Sequence, residues 1–104
     1  MTETPLPPEE CSDMTQVRAG VDATDRALVA LLTRRYGYMR AAARIKTDRG
    51  AVRDEQRKRE VIEAATRQAQ LSGLPAADIA DLWNQLVESS IAYELAEWDR
   101  SALD

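Results

Sequence analysis

Histidine and phenylalanine are both missing from this 104-residue chain, and cysteine occurs once, as Cys11. Without histidine there is no Ser-His-Asp or Cys-His nucleophilic machinery. One cysteine and no histidine argue against a zinc site. A single cysteine forms no intrachain disulfide, which fits a reducing, cytoplasmic setting. With aromatics at 5%, the core must be built from Leu, Val, Ile and Ala. No apolar run reaches membrane-spanning length. The opening MTETPLPPEE is acidic and proline-bearing, not basic and then apolar, so it does not read as a signal peptide. A net charge of −4 argues against a nucleic-acid partner, because phosphate contacts need a basic surface.

What is present is helical periodicity. Residues 1–11 read as a flexible arm, and residues 12–104 as one helical domain. A first helix is expected from Ser12 or Asp13, either of which can cap free N–H groups. Its apolar positions are Met14, Val17, Val21, Leu28, Leu31, Leu32, Met39, Ala42 and Ile45, recurring at helical spacings as far as about Thr47. Gly20 and Gly37 weaken that helix by about 1 kcal/mol each relative to Ala, yet the pattern runs through both. A second helix begins at Asp54 with a stripe of Val61, Ile62, Ala65 and Ala69, and Gly73 is placed to end it in a left-handed cap. A third begins at Pro75 and carries Ile79, Leu82, Trp83, Leu86, Val87, Ile91, Leu95 and Trp98. No segment alternates with period two, so the expected class is all-α with three helices per chain. A helix of more than thirty residues spans about 50 Å, against about 30 Å for a small domain. Two shorter helices do not cover it, so a homodimer is expected. A kink at Gly37 giving a monomeric four-helix bundle is the alternative.

The polar residues near these stripes are the functional candidates. Arg18 adjoins Val17, Arg35 lies seven residues after Leu28, and Lys46 lies eleven after Arg35, about three turns on. Ser90 and Glu94, four apart, share a face of the third helix. Singly, each cation fits a snorkelling side chain. Together Arg18, Arg35, Lys46 and Arg57 form a cationic set, and a buried unpaired charge costs several kcal/mol. Asp25 and Glu94 offer few counter-charges. Two readings stay open: a small anionic ligand with carboxylates, or an internal salt-bridge network at a dimer seam.

The stretches MTQVRAGVDATDRALVALLTRR, RAAARIK, VRDEQR and GLPAADIADLWNQLVESSIAYE resemble the all-helical chorismate mutase family, which includes the isochorismate-pyruvate lyases. The likeness covers Cys11 to Trp98, and the opening PEECSDMTQVR is similar to the lyase branch. It implies an intertwined homodimer of three-helix chains. By this resemblance Arg18 crosses the interface to bind one substrate carboxylate, Arg35 binds the other, and Lys46 faces the ether oxygen with Glu94. Asp54 and Arg57 would close over the ligand, Ser90 would make a polar contact, and Ala42, Val87 and Ile91 would form the apolar wall. Asp25 inherits no substrate role.

No cofactor or metal is implied, because the rearrangement of chorismate to prephenate is pericyclic. An enzyme contributes by holding the dianion in its reactive conformer and stabilising charge on the breaking ether oxygen. Glu94 stands where the family most often has Gln, and can donate a hydrogen bond only when protonated. Lys58 stands where the mutase pattern often has a Glu that accepts the ring hydroxyl. The sequence therefore points to a chorismate mutase, with an isochorismate-pyruvate lyase as the alternative. A non-enzymatic helical dimerisation module is a further alternative.

Overall fold

Two aspartates mark where helices begin. In a computed structural model, which describes residues 5–103, Asp13 accepts the Gln16 amide at 2.8 Å while the Gln16 side chain accepts the Ser12 amide at 2.7 Å. This near-reciprocal capping starts α1, Met14–Ile45, which is helical through Gly20 and Gly37. Asp54 likewise accepts the Arg57 amide at 3.0 Å and starts α2, Glu55–Leu71. α1 ends two residues short of the expected Thr47, although the Lys46 amide still donates to the Ala42 carbonyl at 2.9 Å.

Short 3₁₀ turns lie at Pro8–Glu10 and Arg49–Ala51. α3 spans Ala76–Ala102, with Pro75 standing just outside it as the capping residue instead of within the first turn. Between α2 and α3, Gly73 has φ +74°. Its amide donates to the Gln70 carbonyl at 3.3 Å, and Leu74 donates to Ala69 at 2.8 Å. This is the Schellman pattern, which needs a left-handed residue where a Cβ is disfavoured. Among the described residues every regular element is helical, so the all-α, three-helix expectation holds.

The chain divides into two units, one up to Arg35 and one from Tyr36 onward. In the first, Pro5, Leu6, Pro8 and Cys11 line a cavity of about 350 Å³ together with Val17 and Val21 of α1. The apolar side chains of this part of α1 are largely open to solvent: Val29 is 61% and Leu31 62% exposed. The second unit holds the core, in which Val52, Val87 and Ile91 pack with Val61, Ile62 and Leu95. Ile45 and Leu82, read as stripe residues, are exposed. No helix among the described residues is long and apolar enough to cross a membrane.

Because the Asp54 carboxylate satisfies an otherwise unpaired amide at the start of α2, Asp54→Ala should cost about 1 kcal/mol, with Asp54→Asn retaining most of that stability. Urea denaturation of the three proteins checks this.

Candidate active site

The packing of α3 sets out most of the site. Val87, Ser90, Ile91 and Glu94 recur at intervals of three and four, share one face, and are all buried. Ser90 donates its hydroxyl to the Leu86 carbonyl at 2.7 Å, which satisfies it within the helix. Glu94 is 4% exposed. A carboxylate so far removed from water needs a cation, and Lys46, the residue just past α1, supplies it: Nζ lies 2.7 Å from Glu94 Oε2. The Lys46 side chain keeps partial exposure, at 30%, while that of Glu94 keeps 5%. Ala42, one turn before Lys46, is half-buried.

Other polar bonds brace these elements. Trp98 Nε1 donates to the Lys46 carbonyl at 3.2 Å. Arg49 forks onto Asp99 at 2.7 and 3.0 Å. Tyr36 shares a 2.7 Å hydrogen bond with Ser89 and meets Tyr93 edge-to-face at 5.0 Å, while Arg40 donates to the Tyr93 hydroxyl at 2.9 Å. Arg53 forks onto both Glu88 oxygens at 2.9 and 3.0 Å, and Lys58 reaches the same carboxylate at 2.9 Å. The two cations hold the Glu88 carboxyl at about 2, far below its ordinary 4.5, the Arg53 hydrogen bonds contributing most. Arg49 lowers Asp99 in the same way.

The candidates from the sequence thus fall into groups. Lys46 and Glu94 are in direct contact, and Ser90, Val87 and Ile91 lie on the Glu94 face. Asp54 is engaged as a helix cap. Arg57 is exposed, with Glu60 on its own helix 3.6 Å away, and with Glu60, Val61 and Trp83 it borders an open groove between α2 and α3. In the first unit Arg18 is exposed and Arg35 half-buried. Lys58 is committed to Glu88. The sequence reading did not find the bracing role of Trp98, which sits in an apolar stripe, nor the Arg53–Glu88–Lys58 cluster, in which Glu88 lies 35 and 30 residues from Arg53 and Lys58.

A buried carboxylate in contact with an ammonium thus lies on the same helix face as the buried apolar side chains of Val87 and Ile91. The chain matches chorismate mutase type II over residues 17–95, and it belongs to that family. It is also 30% identical over 91 residues to the isochorismate pyruvate lyase of Pseudomonas aeruginosa, covering 88% of this chain and 90% of that protein.

The Glu88 cluster has a pH signature. The folded carboxyl titrates at about 2 instead of 4.5, so its contribution is fully present above the ordinary value and is lost as pH falls toward 2. Glu88→Gln should lower the melting temperature at pH 7. The gap to wild type should close progressively below about pH 4.5, as thermal melts across pH 2–7 can show.

Proposed function

We propose that this chain is a chorismate mutase, which converts chorismate to prephenate by conformational restriction and electrostatic stabilisation. The observation that carries this reading is the 2.7 Å Lys46–Glu94 pair on a buried apolar face, in a chain of this family. One C–O bond breaks and one C–C bond forms within the same molecule, so no nucleophile or cofactor is required. Lys46 stabilises the ether oxygen as negative charge gathers on it. Arg35 binds one carboxylate. Arg18, contributed across a homodimer interface, binds the other. Ser90, Asp54 and Arg57 bind or enclose the substrate, and Ala42, Val87 and Ile91 flank its ring. The homodimer is supported by the exposed apolar side chains of α1, whose remaining exposure a second chain can remove from water.

Glu94 now accepts a hydrogen bond from Lys46, the role of an ionised carboxylate. To donate to the ether oxygen alongside Lys46 it must gain a proton. Glu94→Gln carries a hydrogen-bond donor without that requirement and keeps mutase activity.

A lyase that releases pyruvate from isochorismate is the second reading, using the same cations to assist the same kind of C–O cleavage. Two observations favour it. The Pseudomonas relative carries that name, and Lys58 is tied to Glu88, so position 58 offers no carboxylate to a ring hydroxyl.

The test is turnover of chorismate and isochorismate by the purified protein, at acid and neutral pH, for wild type and Glu94→Gln. Prephenate from chorismate, from wild type and variant alike, is expected. Salicylate and pyruvate from isochorismate with little prephenate would establish the lyase instead. Turnover of neither, with no rise in melting temperature on adding chorismate, would leave a non-catalytic dimerisation module. Lys46→Ala should abolish turnover. It should also cost about 3 kcal/mol or more of stability, since it leaves Glu94 buried without a cation. Adding Glu94→Gln to Lys46→Ala should recover most of that stability but no activity.

A further inference from the structure

Lys46 follows the last residue of α1, where helix carbonyls lack partners within the helix. Its own carbonyl is one of them, and Trp98 Nε1 donates to it at 3.2 Å. One turn earlier on α3, Glu94 takes the ammonium of the same lysine at 2.7 Å. The third helix therefore holds residue 46 at both ends, by its backbone through Trp98 and by its side chain through Glu94. The Lys46 amide is committed as well, to the Ala42 carbonyl at 2.9 Å.

This matters because a lysine ammonium is carried on a flexible four-carbon stem. Restricting such a stem costs up to about 2 kcal/mol of rotamer entropy. If the backbone at residue 46 drifts, the ammonium can still follow Glu94, but by a different path and to a different place. Fixing the root of the stem removes that freedom. The other brace at this corner, the Arg49–Asp99 fork, is half exposed on both sides and grips the chain three residues beyond Lys46. Trp98 is half-buried, and its bond reaches residue 46 itself and satisfies a helix-end acceptor, so it is the more direct constraint.

We propose that Trp98 is a positioning residue, whose indole N–H fixes the Lys46 backbone and so places the Lys46 ammonium against Glu94. Its catalytic consequence rests on the role given to Lys46 above. The placement itself does not, and it can be measured without substrate.

The test compares wild type with Trp98→Phe, which keeps an aromatic ring and removes the N–H. In nitrogen-15 NMR the Lys46 ammonium should give a distinct signal in wild type, identified by its absence from Lys46→Ala/Glu94→Gln. That signal should be lost or averaged in folded Trp98→Phe. With whichever substrate the wild type accepts, kcat should fall about tenfold and KM stay within about twofold, since displacement of a charged group by about 1 Å is costly to rate. A melting temperature close to wild type excludes a merely structural loss. Persistence of the ammonium signal in folded Trp98→Phe overturns the proposal, and an unaltered kcat with that signal lost overturns its catalytic consequence. If Trp98→Phe does not fold, exchange of the Trp98 indole proton in wild type decides instead. Slower exchange than a solvated indole supports the bond, and exchange at the solvated rate overturns it. A wild type that turns over neither substrate refutes the proposed function, while the NMR result still decides the placement.

Discussion

The pairing of Lys46 with Glu94 is the interaction on which the rest of the second unit's architecture turns. A glutamate that keeps 4% of its exposure is tolerable only with a cation in contact. The removal of one partner from such a pair typically costs several kcal/mol, because the other is left charged and dry. The fold accordingly commits much of the surrounding structure to that contact. The end of α1 places the lysine, the α3 face Val87–Ser90–Ile91 surrounds the carboxylate with apolar and satisfied groups, and Trp98 and Asp99 tie down the chain that leaves the lysine. No buried side-chain nitrogen or oxygen among the described residues lacks a hydrogen-bond partner.

On the proposed reading, this economy of functional groups matches the chemistry. A pericyclic step has no proton to shuttle and no covalent intermediate to hold, so a chain without histidine is not handicapped. It calls for fixed charges in a site of reduced polarity, where each interaction is worth more than in water. Arginines and lysine provide such charges, and Glu94, buried against Lys46, supplies the carboxylate that balances one of them.

Much of the fold was legible in the sequence because its signals are local. Asp13, Asp54 and Gly73 act on amides and carbonyls a few residues away, and the rules for caps and left-handed turns need no tertiary knowledge. Lys46 and Glu94 were also legible as individual candidates, from helical spacing and from the resemblance. Their contact was not, because the pair is separated by 48 residues and no local rule brings them together. Lys58 shows the same limit: as a departure from a pattern it was visible, but its engagement with Glu88 depends on how α2 lies against α3. Asp54 shows the reverse. The sequence placed it at the start of the second helix, and the structure shows it there as the capping residue, whereas its ligand role comes only from the family resemblance. Trp98 was read as apolar bulk, since a tryptophan in a stripe does not reveal where its single N–H points.

The three bonds that hold the corner after α1 share a property that concerns how the chain finds its fold. Lys46–Glu94, Lys46–Trp98 and Arg49–Asp99 join residues 48, 52 and 50 apart. They close nearly the same loop. For an otherwise unstructured segment of that size the entropy of closure is roughly 3–4 kcal/mol, and it grows only logarithmically with length. Whichever bond forms first bears that cost, and the other two then close almost no further loop. The corner should consequently dock as one event, after the short Gly73 turn has brought α2 and α3 together, because local pairings precede distant ones. The three bonds thereby become a single cooperative latch.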